Sequence, residues 1–166
     1  MQTPVELFEN TIAWLQSNYS SYHFYVERDI VWTIQTHIQE QVTRQELSYK
    51  VFNDYPILPG SNRSLSADLV ILTPDREIAL AAEFKYEPSH SRTDIQKQKL
   101  PVVFWGTDGV GKDIARIFEF VEKGKARVAY SIFIDEGGYF RKRNPHERSS
   151  WIDWGNGVWI LRSQAG

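Results

Sequence analysis

The chain has 166 residues, 19 Lys and Arg against 21 Asp and Glu, a net charge of −2 and no cysteine. That composition excludes disulfides, zinc–thiolate sites and cysteine nucleophiles, and no apolar run approaches the roughly 18 residues that span a membrane. The mild acidity argues against a constitutive nucleic-acid binder, which is usually basic, although a local basic strip can serve an enzyme. With 42% hydrophobic and 14% aromatic residues the composition is globular, and the length suits one domain over 1–166 with a substantial core. The first residues, Met1-Gln2-Thr3-Pro4-Val5-Glu6, carry no basic or apolar signal segment, so a cytoplasmic protein is expected.

In chain order, Pro4 to about Ser17 reads as an amphipathic helix with Val5, Phe8, Ile12 and Leu15 inward. Glu27 to about Thr43 is a second helix, with Ile30, Val31, Ile34 and Ile38 as its apolar stripe. Glu27 precedes Val31 by one helical turn and falls on the buried side. Glu46 to Tyr55 is expected to be a strand, and Pro56 to Ser64 a loop. Two apolar strands, Ala67–Thr73 and Ile78–Lys85, follow around a turn at Pro74-Asp75-Arg76-Glu77. Pro88 to about Lys99 is polar and begins as a loop, and Pro101–Trp105 is a short strand or a buried turn. Lys112–Glu122 is a helix ended by Gly124, Ala126–Asp135 an apolar strand, and Val158–Leu161 a last short strand. The strand after the crossover helix should lie parallel to Ile78–Lys85.

The hairpin carries the chemistry. Strands buried on both faces rarely hold a charge that is not paired or binding something, yet this pair holds Asp68, Glu83 and Lys85 at one end. If Asp75 and Arg76 form a two-residue loop, Asp68 lies directly across from Glu83. Opposed residues share a face, with Cβ atoms about 4.5–5.5 Å apart. Lys85, two residues on, shares that face too, while Phe84 points into the other layer. A slip of one residue would destroy this convergence.

Asp68 followed by Glu83-Phe84-Lys85 resembles the core motif of the PD-(D/E)xK nucleases, whose fold is called restriction-endonuclease-like. Ala67 stands where the motif name has Pro. The resemblance covers about residues 27–135 and leaves a Trp-rich C-terminal addition. It implies an α/β fold with a restriction-endonuclease-like core: a central mixed sheet, an antiparallel hairpin plus a parallel strand, flanked by helices. It implies Asp68, Glu83 and Lys85 as catalytic residues, and Asp68 and Glu83 as ligands of Mg²⁺ or Mn²⁺. Family members commonly place an acid on the helix before the core sheet, and Glu27 matches it as a further ligand. An acid in a first helical turn also complements the helix dipole.

The implied activity is hydrolysis of phosphodiester bonds in nucleic acid, DNA foremost, with a homodimer as one arrangement known among such nucleases. The same fold also serves catalytically inert modules that bind nucleic acid or protein. Basic residues suited to a nucleic-acid backbone are Arg92, Lys97 and Lys99 after the motif and Arg141, Lys142 and Arg143 near the C-terminus; a solvated surface is the plainer reading of each cluster.

A rival motif is Gly106-Thr107-Asp108-Gly109-Val110-Gly111-Lys112-Asp113, which has the spacing of a phosphate-binding loop through its lysine. Asp113 stands where such loops need a hydroxyl for Mg²⁺, and its carboxylate would repel phosphate. A glycine-rich turn with Asp113 starting the helix is the expected role.

Overall fold

Thr3 starts the first helix, α1 (Pro4–Asn18). Its hydroxyl accepts the Glu6 N–H at 3.2 Å while the Glu6 carboxylate accepts the Thr3 N–H at 2.7 Å, a reciprocal capping box ahead of a helix that begins with proline. A computed structural model describes residues 2–60, 65–96 and 103–166. After a short 3₁₀ turn at Tyr19–Ser21 comes α2 (Glu27–Arg44), whose Asp29 carboxylate accepts the N–H groups of Tyr25 and Val26. The strands are β1 (Lys50–Leu58), β2 (Leu65–Leu72), β3 (Ile78–Glu87), β4 (Ala126–Asp135), β5 (Ser149–Gly155) and β6 (Val158–Ala165), with α3 (Val110–Glu122) between β3 and β4.

The strands form one six-stranded mixed sheet in the order β1-β2-β3-β4-β6-β5, in which β3 and β4 are parallel and the other neighbours antiparallel. The parallel pairing across the α3 crossover agrees with the sequence expectation. Alternation along the strands divides the core. Leu69, Ile71, Leu80, Ala82 and Phe84 pack with Phe8, Leu15, Ile34 and Ile38 of α1 and α2. Val70, Leu72 and Ala81 pack with Ile117 and Phe120 of α3. The sheet is therefore a middle layer with α1 and α2 on one face and α3 on the other. Among the described residues no helix is long and apolar enough to cross a membrane.

Several boundaries differ from the sequence reading, each for a local reason. The first strand begins at Lys50, not Glu46, because α2 ends in a Schellman turn. Glu46 takes a left-handed φ of 52°, its N–H reaches Thr43 O, and the Leu47 N–H reaches Val42 O. The same strand runs on through Pro56 to Leu58, which an edge position tolerates since no neighbour needs the missing N–H. The third helix starts at Val110, two residues before Lys112. It ends as expected at Gly124, where the Gly124 and Lys125 N–H groups bond to Val121 O and Phe120 O. The C-terminal addition is part of the sheet: β5 had no counterpart in the reading, and β6 runs to Ala165 rather than stopping at Leu161. A two-residue turn, Asn156-Gly157, with both φ values positive, joins them.

The glycine-rich stretch before α3 is a folded turn. The Val110 N–H donates to Phe104 O and the Gly111 N–H to Trp105 O, so helix-start donors that would cradle a phosphate are already engaged. At Gly109 an added Cβ would lie 1.8 Å from Phe104 O. Gly109→Ala is expected to cost about 3 kcal/mol, the upper range for forcing atoms into a packed site. A urea titration would show it, and an unchanged midpoint would contradict the close approach.

Candidate functional site

The antiparallel ladder between β2 and β3 pairs Leu69 with Ala82, Val70 with Ala81 and Ile71 with Leu80. Continuing that register by one residue sets Asp68 against Glu83, as the sequence predicts. The route differs. The turn is a three-residue loop in which Arg76 N–H donates to Thr73 O, Thr73 N–H donates to Glu77 O, and Arg76 takes φ 66°. Leu72 then faces Ile78, and an extra residue, Ala79, bulges out before Leu80. Loop and bulge each shift the pairing by one, in opposite senses, and the register that sets Asp68 against Glu83 survives.

Asp68 is held at the end of the ladder, where its Oδ2 accepts the Phe84 N–H at 2.7 Å. Phe84 turns into the α1–α2 core, which leaves Glu83 and Lys85 on the face toward α3. Glu83 is buried, and its Oε2 lies 3.9 Å from the Arg116 guanidinium. Lys85 Nζ lies 3.3 Å from Glu27 Oε2 and 2.9 Å from Asp113 Oδ2. The structure thus brings the carboxylates of Glu27, Asp68 and Glu83 within electrostatic reach of the Lys85 ammonium.

It also adds two residues the sequence reading did not place here. Asp113 is 1% exposed, on the buried stripe of α3 with Val110, Ile114 and Ile117. A carboxylate one turn after Val110 and one turn before Ile117, inside an apolar stripe, was the available signal. Its ion pair with Lys85 is close but off the hydrogen-bond direction, so neither Asp113 oxygen has an aligned donor among the described residues. Arg116, one turn on, supplies the cation nearest Glu83.

Glu83 and Glu87 lie on the same strand and face, and they contrast. Both Glu87 oxygens are engaged, one by His90 Nε2 at 2.7 Å and the other by the Val103 N–H at 3.1 Å. Glu83 Oε1 is buried with no hydrogen-bond partner among the described residues. Asp135 also has an unpartnered oxygen, but its other oxygen fastens the turn after β4 through the Phe140 N–H at 2.7 Å. Glu83 has no such structural bond.

Burial sets the charge state. Desolvation pushes the Glu27 carboxyl up to about 7 against the pull of Lys85. It raises Asp68 against the Phe84 N–H, and it raises Glu83 strongly, helped by the charges of Asp68 and Asp113. Lys85 is held above its ordinary value because the surrounding carboxylates outweigh its own desolvation. Carboxylates raised in the folded state favour folding while protonated, and that contribution is lost as pH climbs through the folded value. Stability should therefore fall between pH 4.5 and about 7, the window of Glu27. Discounted for the partial exposure of Glu27, the loss is on the order of 1–2 kcal/mol. Melting curves across this range would show it, and a flat or rising Tm would rule it out.

Among the described residues no group of three or more His, Asp or Glu side chains is gathered tightly enough to hold a metal ion. The reason is visible in the pairing: the Lys85 ammonium stands between Glu27 and Asp113, and Arg116 faces Glu83. The donor chemistry nonetheless suits a hard cation. Asp68, Glu83 and Glu27 offer carboxylate oxygens, Glu83 Oε1 lacks a partner among the described residues, and positive charge would offset the cost of burial, and secondarily the mutual repulsion, that raises these groups.

The basic residues fall in different places. Arg92 is engaged in the structure: its guanidinium pairs with Asp94 and Glu136 and donates to Phe24 O and Tyr86 Oη, tying the segment after β3 to the α2 side. Lys97 and Lys99 lie outside the described residues. Arg141, Lys142 and Arg143 are exposed. The Arg143 guanidinium lies over the rings of Trp105 and Phe140, which contact Phe133, the β4 partner of Lys85. This run is therefore on the α3 face, close to the β4 side of Lys85.

Comparison with protein-family models, with curated proteins and with solved structures yields no match.

Proposed function

We propose that the chain is a metal-dependent nuclease built on a restriction-endonuclease-like core, hydrolysing phosphodiester bonds in nucleic acid with Mg²⁺ or Mn²⁺. The observation that carries the reading is the register of β2 and β3, which aligns Asp68 with Glu83 and sets Lys85 on the same face, within 3.3 Å of Glu27. The mixed sheet between α1–α2 and α3 supports it as well.

In this reading Asp68 and Glu83 hold the ion, with Glu27 as a further ligand. Bound there, it would lower the pKa of a water and offset charge on the scissile phosphate. Asp68 is kept in place by the Phe84 N–H, and Glu83 is kept rigid by burial in the sheet. Lys85, held charged by Glu27 and Asp113, directs its ammonium to the attacking water or to the charge that builds on the phosphoryl oxygens. Asp113 acts through Lys85 and positions it. Arg143 and its neighbours offer positive charge to the nucleic-acid backbone.

The test is cleavage of plasmid and single-stranded substrates with Mg²⁺, Mn²⁺ or EDTA. Cleavage with either metal and none with EDTA is expected, and intact substrate under every metal would overturn the reading in favour of an inert binding module. A second readout is thermal. Metal competes with protons for carboxylates raised toward neutrality, so Mg²⁺ should raise Tm more at pH 8 than at pH 6. An equal shift, or none, would place the ion elsewhere.

A further inference from the structure

Beside the carboxylates lies a cleft of about 420 Å³ between the start of α2 and the middle of β1, within the range of roughly 300–1,000 Å³ common for ligand sites. Glu27 and Asp68 line it, with Arg28, Trp32, Asn53 and Asp54 among the other lining residues. We propose that this cleft is a nucleobase subsite. The unpaired nucleotide next to the scissile phosphate lays its base on Trp32 and donates an exocyclic amine proton to Asn53. The inference rests on the nuclease reading for its placement of the phosphate, and it adds a substrate preference that reading does not contain.

Three observations carry it. Trp32 is 57% exposed, and it stands one helical turn beyond Arg28 on α2. A large aromatic face in water beside a charged site is the form of a stacking platform, and every base has a face to stack. Asn53 Oδ1 is buried and accepts no hydrogen bond among the described residues. An unpaired buried acceptor is costly, and a ligand donor that reaches it recovers the difference. Asp54 has a left-handed φ of 49° and drops out of the ladder between Asn53, which faces Leu69, and Tyr55, which faces Ala67. Neighbours in a regular strand point to opposite faces; the break at Asp54 lets Asn53 and Asp54 line one cleft. Strained non-glycine backbone of this kind is kept where the surroundings demand it, often at ligand sites.

The chemistry predicts selectivity. Asn53 Oδ1 and the Asp54 carboxylate are both acceptors, so the cleft favours bases with an amine at the pairing edge. Adenine N6 and cytosine N4 donate from the position at which thymine presents O4, an acceptor; the one donor of thymine on that edge, N3–H, is flanked by two carbonyl oxygens that the acceptors of the cleft repel. Arg28 is placed to meet the adjoining backbone charge. Stacking requires a base free of its own duplex neighbours, which points to single-stranded or locally opened substrate.

The experiment is fluorescence anisotropy with labelled oligo-dA, oligo-dC and oligo-dT, with Ca²⁺ replacing Mg²⁺, on the wild type and on Trp32→Ala, Trp32→Phe and Asn53→Ala. The wild type should bind oligo-dA and oligo-dC about tenfold more tightly than oligo-dT, the scale of a well-made hydrogen bond. Trp32→Ala should weaken all three about tenfold or more, and Trp32→Phe should restore most of the loss. Asn53→Ala should narrow the preference several-fold by weakening oligo-dA and oligo-dC binding more than oligo-dT binding. Equal wild-type affinity for the three oligonucleotides, no binding at all, or indifference to Trp32→Ala would overturn the subsite. Mg²⁺-dependent cleavage by the same preparation separates the two readings. Cleavage without the binding pattern leaves the nuclease and removes the subsite, and the binding pattern without cleavage does the reverse.

Discussion

If the proposed nuclease reading holds, replacing Asp68 with asparagine is expected to lower metal-dependent cleavage by at least about a hundredfold, the scale of losing a group that stabilises charge at the reacting centre. The fold should remain. The Asp68 oxygen that accepts the Phe84 N–H is retained in the amide, so the end of the β2–β3 ladder keeps its fastening. Stability should hold or rise slightly, because the substitution removes a charge that raises Glu83. The measurements are initial cleavage rates and urea midpoints on the same preparations. Full activity in Asp68→Asn would remove the residue from the chemistry, and a large loss of stability would mean that the carboxylate is structural.

The second large effect concerns Lys85. Asp113 is almost wholly buried, and Lys85, 22% exposed, provides its nearest charge. Removing one partner of such a pair leaves an uncompensated charge in the interior, so Lys85→Met should cost about 3 kcal/mol, the low end for a broken buried pair. Lys85→Met combined with Asp113→Leu should recover most of that loss, since matched apolar replacements of buried ion pairs are often neutral. A double-mutant cycle in urea measures the coupling. Additive effects would show that the pair does not interact. The cycle also guards the functional test, because an inactive Lys85 single variant is ambiguous if it is poorly folded. A folded, inactive double variant would assign the ammonium to the chemistry.

Much of the site was legible because strand periodicity is strict. Asp68, Glu83, Phe84 and Lys85 are assigned to faces by alternation once the hairpin centre is known. Even so, a two-residue loop gives the right centre only because two departures from it cancel. The loop has three residues rather than two, and Ala79 bulges to compensate. Neither feature has a strong local signature, since Arg76 is an unusual residue for a left-handed position. By contrast, the Asn156-Gly157 turn between β5 and β6 is one of the clearest hairpin signals, and a hairpin there is legible in the sequence.

Local pattern determined the helices, the charged hairpin, the crossover strand and the convergence of Asp68, Glu83 and Lys85, because each depends on spacing within one or two neighbouring segments. Contacts between distant segments required the assembled fold. Asp113 meets Lys85 only because α3 crosses over the sheet, and Glu27 reaches the same ammonium only because the start of α2 lies beside the end of the β2–β3 ladder. The same packing engages Arg92 with Glu136 and leaves Trp32 exposed above Asn53 and Asp54. Side-chain periods of two and 3.6 residues are properties of a segment, whereas the neighbours of a charge, and hence its cost and its chemistry, are properties of how segments pack.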